Sequence, residues 1–194
     1  MLSSIQRIVK RICQFATILV FFTPQCWAAS FEIEGTKQVF AVTRDGTRLA
    51  LGHIQFTRLN TDATQFKLKV ESPLLVDHFL SMKEFKCLDG ATEVTCHVPY
   101  PYLNPQTITA GNLVWLEHSL LFLFKQPRDF GAKLWNGSYY QFEVAGQRLI
   151  GKPQAIDLNH ISAPSDTPNI APFTPDLRVD AAPGARWIDH LLIE

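Results

Sequence analysis

The stretch "QFKLKVE" carries the dominant pattern of the chain. Phe66, Leu68 and Val70 alternate with Lys67 and Lys69, the two-residue period of a strand with one buried face. "QVFAVT-RDGT-RLALGHIQF" predicts a β-hairpin turning at Asp45-Gly46. "YYQFEV-AGQ-RLIGKPQAIDL" predicts a second one turning at Ala145-Gly146. In each, a further glycine (Gly52, Gly151) sits where a strand glycine marks a bend or bulge.

"LVWLEHSLLFLFK", from Leu113 to Lys125, fits two periods at once. As a strand it aligns Val114, Leu116, His118, Leu120, Phe122 and Phe124; as a helix it aligns Leu113, Leu116, Leu120 and Phe124. The aromatic ending favours strand in the second half, and Gly111-Asn112 offers a cap for a helical turn before it. In "PLLVDHFLSM", Asp77 and His78 are expected to start a short turn ahead of the strand "KEFKCL".

After Leu158 the composition changes. Five of the 12 prolines lie between Ser162 and Arg186, which argues against a central strand or long helix there. Residues 161–194 therefore read as an extended Pro-rich arm. Its end, "RWIDHLLIE", is too apolar to stay in water and is expected to dock as a helical turn or an edge strand. The fold class that follows is mainly β: a single antiparallel β-barrel or sandwich domain over residues 29–160, with a small barrel preferred, its closure left open by the sequence.

The first residues change the picture of where this domain works. Arg7, Lys10 and Arg11 precede the apolar run "FATILVFF", and Cys26-Trp27-Ala28 offers small residues at the positions a signal peptidase reads. The run is far shorter than the roughly 20 residues of a membrane span. Residues 1–28 thus read as a signal peptide, giving a periplasmic or secreted location with no transmembrane segment after its removal. Cleavage would take three of the 18 basic residues, leaving 15 against 18 acidic ones, a formal charge of about −3. That balance provides no electrostatic footprint for nucleic acid. Of the four cysteines, Cys87 and Cys96 would remain. In an oxidising compartment two such thiols pair, and Asp89-Gly90 between them suits a hairpin turn. A closed loop this short constrains the unfolded chain by roughly 2.5–3 kcal/mol.

Candidate chemistry is sparse. The six histidines show no helical zinc spacing and no His-x-His pair, so no metal or other cofactor is expected. No Gly-x-Ser-x-Gly elbow and no phosphate loop appears, and no catalytic residue is assigned. A hydrolase drawing acid–base residues from His97, His118, Glu117 and Asp77 is the alternative reading, and it requires those side chains to converge. An assembly or inhibitor protein acting through an exposed edge strand is a third.

The aromatic residues say more. All four tyrosines lie in "CHVPYPYLNP" and "LWNGSYYQF". Tyr100, Tyr102, Trp135, Tyr139 and Tyr140, with His97 and Asn136 as polar contacts, form the tentative ligand-binding set, since Tyr and Trp join an apolar body to a polar tip. The competing reading has these rings capping the ends of the barrel. The blocks "MKEFKCL", "CHVPYPY", "LLFLFK" and "LWNGSYY", with the terminal "IE", resemble an uncharacterised family of exported proteobacterial proteins over about residues 40–194. The resemblance implies an envelope location and carries over no activity. The expected function is an exported cell-envelope binding or interaction protein, its partner an unknown small ligand or an envelope protein.

Overall fold

The structure is a computed structural model and describes residues 33–194. The signal-peptide reading, with Cys13 and Cys26, lies outside the described residues. Among these residues, twelve strands, one short α-helix and two short 3-10 helices (Leu158–Ile161 and Pro175–Leu177) make up the fold: β1 Gly35–Thr43, β2 Arg48–Arg58, β3 Thr64–Val70, β4 Val76–Leu80, β5 Lys83–Asp89, β6 Val94–Val98, β7 Thr107–Ile108, α1 Val114–Ser119, β8 Leu121–Lys125, β9 Gly137–Ala145, β10 Arg148–Ile156, β11 Val179–Asp180 and β12 Ile188–Ile193. They form one antiparallel sheet in the order β4-β5-β6-β8-β9-β10-β12-β1-β2-β3-β7, with β11 beside β10. The sheet is not closed into a barrel: β4 and β7 are its two ends.

Both hairpins form where the pattern placed them, β1–β2 around Gly46 (φ +83°) and β9–β10 around Gly146 (φ +66°). Gly52 takes up a bulge, since Val39 faces Gly52 while Phe40 already faces Ala50. A Cβ on Gly52 would lie 2.0 Å from the Lys69 carbonyl oxygen of β3, so no other residue fits. The two-period stretch divides as its composition suggested. Val114–Ser119 is helical, with the Asn112 side chain accepting from the Val114 N–H at 3.1 Å, and Leu121–Lys125 is strand.

Two expectations are corrected. Asp77 and His78 lie within strand β4, paired with Lys86 and Phe85, and start no turn. The terminal Ile188–Ile193 is an inner strand between β10 and β1. The prolines end before it, so its N–H groups are free to complete two ladders, and Ile188, Leu191 and Ile193 are each 1% exposed.

Two apolar clusters hold the sheet. One gathers Val39, Ile54, Phe56, Phe66, Leu116, Phe122, Tyr140, Phe142, Leu149 and Leu191; the other gathers Phe85, Cys87, Cys96, Leu121, Leu123, Tyr139, Ile156 and Phe173. Strands β8 and β9 feed both, with alternate residues going to opposite sides. The Cys87–Cys96 disulfide joins directly opposed residues of β5 and β6, as the spacing predicted. No helix among the described residues is long and apolar enough to cross a membrane.

The inner position of β12 predicts a contrast measurable by urea unfolding. Leu191→Ala should cost about 2–5 kcal/mol, the range for a buried leucine. Val179→Ala on the exposed β11 should stay within about 0.5 kcal/mol. Similar small losses for both would show that β12 is not core.

Candidate functional site

The tentative ligand-binding residues divide between core and surface. Tyr139 and Tyr140 are 0% and 1% exposed. They are neighbours on β9 and point to opposite faces, and each face is packed, so neither is open to the surface. His97 is buried too, its Nε2 2.9 Å from the Ser119 carbonyl oxygen and its ring 5.5 Å from that of Phe122. Tyr100 is half-buried between the two clusters, 6.1 Å from Trp115 and 5.8 Å from His118, with Tyr102 edge-on at 5.8 Å. These five side chains support the sheet, close to the competing reading of rings packed at its ends. Trp135 and Asn136 differ: Trp135 is 64% exposed, and the Asn136 side-chain amide makes no hydrogen bond among the described residues.

The acid–base candidates divide in the same way. Glu117 and His118 leave α1 into the interior. One Glu117 oxygen accepts from the Tyr139 hydroxyl, and the other accepts from the Phe142 N–H at 2.8 Å. That N–H belongs to the stretch of β9 beyond its pairing with β8, so the carboxylate takes the place of a strand neighbour. Burial raises the Glu117 pKa, against the pull of both hydrogen bonds and of Arg178. His118 Nδ1 donates to the Val114 carbonyl at 2.7 Å, and Nε2 accepts from the Phe173 N–H at 3.2 Å. Both ring nitrogens are thereby used on backbone, and the ring stacks on Phe173 at 5.5 Å. Arg178 lies over the Tyr139 ring, 4.6 Å from its centroid. Asp77 stands apart on exposed β4, paired with Lys86.

An open cleft of about 550 Å³ lies where the β5–β6 turn, the loop after β8 and the chain entering β12 meet. Trp135 and Asn136 line it, together with Glu93, Phe124, Lys125, Arg128 and Arg186. Each wall has a local cause. The β5–β6 turn closes with the Gly90 N–H donating to the Glu93 carbonyl at 3.0 Å. Gly90 lets Trp187 pack on the turn, because a Cβ there would sit 2.7 Å from the indole. The loop after β8 is tied by the Gln126 N–H donating to the Asp129 carboxylate at 3.3 Å and by the Asn136 N–H donating to the Lys133 carbonyl at 2.9 Å.

The cleft is electropositive, with five basic side chains against two acidic. Arg186 places its guanidinium 3.5 Å over the Phe124 ring, and its Nη1 is 3.4 Å from Glu93. Burial raises the Glu93 pKa, and Arg186 pulls it back down. Lys125 is 6% exposed, and no carboxylate lies within ion-pair distance of it among the described residues. The sequence reading passed over Lys125 and Arg186. A signal existed in "LLFLFK": a lysine closing a strand buried on both faces must lead its charge to a polar space.

No family model matches the chain, and no curated protein or solved structure matches it.

Two predictions follow the buried residues. Tyr140→Ala should cost about 3–5 kcal/mol in urea unfolding, as for a large buried ring; a loss under about 1 kcal/mol would put Tyr140 at the surface. The second concerns acid. Burial lowers the His118 pKa to about 4, whereas in the unfolded chain it returns to about 6.5. The unfolded state therefore binds more protons between those values. Its contribution to stability is complete above pH 6.5 and is lost as pH falls towards 4, by about 3 kcal/mol in all. Glu117, raised by burial, runs the other way. Urea midpoints at pH 7 and pH 4.5 should fall less in His118→Gln than in the native chain; an equal fall would assign the acid sensitivity elsewhere.

Proposed function

We propose that the chain is an exported binding protein of the cell envelope, periplasmic or secreted, whose ligand site is the cleft beside Trp135 and Asn136. The observation that supports this reading is the coincidence, in one open space of about 550 Å³, of an exposed indole and a side-chain amide without a partner. That volume falls within the range of small-molecule sites. An exposed tryptophan supplies a rigid face for stacking, and an amide supplies both a donor and an acceptor. The stapled β5–β6 hairpin forms one wall, so the Cys87–Cys96 bridge would hold the site as well as the fold.

Of the acid–base residues of the alternative hydrolase, His97, His118 and Glu117 are committed to backbone and core partners and Asp77 stands apart on β4 paired with Lys86, so the reaction they would require gains no support from the geometry. Export and oxidation belong to the same proposal as the site. The chain recovered from the envelope should begin at Ala29, the residue after the expected cleavage point, and should contain no free thiol.

The direct test is a screen of small polar metabolites read by thermal shift and tryptophan fluorescence. A hit should saturate, and Trp135→Ala or Asn136→Ala should weaken it at least tenfold without altering the melting temperature of the free protein. Hits that persist at full strength in both variants would overturn the cleft as the site.

A further inference from the structure

Within that cleft, and resting on its being the ligand site, we infer a subsite for an oxyanion, phosphate or sulfate, carried on a ring-bearing body. Lys125 is the central observation. It ends β8, a strand buried on both faces, and it is itself 94% buried. Its stem is covered, but its ammonium is not among the buried unpartnered atoms, so the charge is led out to the open cleft. Here the acidic groups of the cleft are directed elsewhere: Glu93 towards Arg186 and Asp129 towards Lys133 at 4.0 Å. Lys125 is left without a carboxylate partner among the described residues.

Arg186 is the second observation. Its Nε donates to the Ala185 carbonyl at 3.1 Å, and its plane is fixed on Phe124. Its buried Nη1 makes no hydrogen bond but is ion-paired with the Glu93 carboxylate at 3.4 Å. A planar guanidinium held in place, with N–H groups beyond those turned to Ala185 and Glu93, is suited to an oxyanion. Arg128 adds a third positive charge at the rim, with no acidic partner among the described residues. The mature chain as a whole would be mildly acidic, so this local excess is set against the general charge. Trp135, beside the cations, offers a flat apolar face to whatever body carries the anion.

Glucose 6-phosphate, glucose and sodium chloride at matched ionic strength separate the terms. The phosphate ester should bind saturably and raise the melting temperature, while glucose and chloride should not. Lys125→Gln should weaken the ester at least tenfold, and Lys125→Arg should retain most of the affinity. The free Lys125→Gln protein should melt near the native temperature, because the ammonium removed faces the open cleft and makes no ion pair. Folding of the variant is read from that same melt, and Arg128→Gln, an exposed change, provides a second arm with an expected loss of about threefold or more. Failure of the ester to exceed chloride, or native affinity in Lys125→Gln, would overturn the inference. If glucose binds as tightly as its phosphate and loses affinity in Trp135→Ala, the oxyanion subsite is wrong and the cleft stands. If ester binding disappears with Lys125→Gln and ignores both Trp135→Ala and Asn136→Ala, the anion site stands alone and the wider cleft reading falls.

Discussion

Burial of β8 and of the first half of β9, Gly137 to Tyr140, on both faces is the constraint on which the rest depends. Leu121, Leu123 and Tyr139 fill one cluster, while Phe122, Tyr140 and Phe142 fill the other. Where the two strands have no wet face, backbone groups must be satisfied from within. β8 is only five residues long, and beyond its end β9 lacks a neighbour on that side. Glu117 meets the need from α1 by accepting the Phe142 N–H. His118, on the same turn, ties Phe173 of the C-terminal segment to the helix. The most chemically suggestive pair in the sequence is therefore the means by which a helix closes a gap in a sheet.

The same constraint builds the cleft. Because β8 is occupied on both sides, its last residue, Lys125, can place its charge only at the end of the strand. There the loop to β9 folds back under Asp129 and Lys133, and the chain entering β12 crosses with Arg186. The disulfide-closed hairpin supplies the third wall. Gly90 matters because Trp187 lies where any side chain would stand, so the turn and the last strand fit only through a glycine.

Much of this architecture was legible in the sequence because it is local. Alternation in "QFKLKVE", the Asp-Gly and Ala-Gly turns and the Cys87–Cys96 spacing each specify a neighbour close along the chain. The placement of Ile188–Ile193 was not legible. Its apolar content showed that it docks, but an inner position depends on two strands remote in sequence, and the prolines before it suggested an edge. The β4 strand was missed for a related reason: Asp77 and Phe79 face outward at a sheet edge, and such a strand carries little apolar alternation.

The site was half legible. Aromatic clustering located "LWNGSYY", and Trp135 and Asn136 do line the cleft. It failed for Tyr139 and Tyr140 because a two-residue period assigns opposite faces without saying whether either is wet. His97, Tyr100, Tyr102, Tyr139 and Tyr140 show what such clusters more often do, which is pack. The cleft's cations come from the β1–β2 turn, β8, the following loop and the approach to β12, and no spacing rule joins positions so far apart.

The most direct measurement is a map of ligand-induced shifts in a two-dimensional nitrogen–proton spectrum, with glucose 6-phosphate as the probe. If the account holds, the Trp135 indole, the Asn136 side-chain amide and the backbone near Lys125 move together and saturate. Shifts centred instead on His118, Tyr139 and Phe173, with the Trp135 signal unmoved, would place the working site in the buried cluster and contradict it.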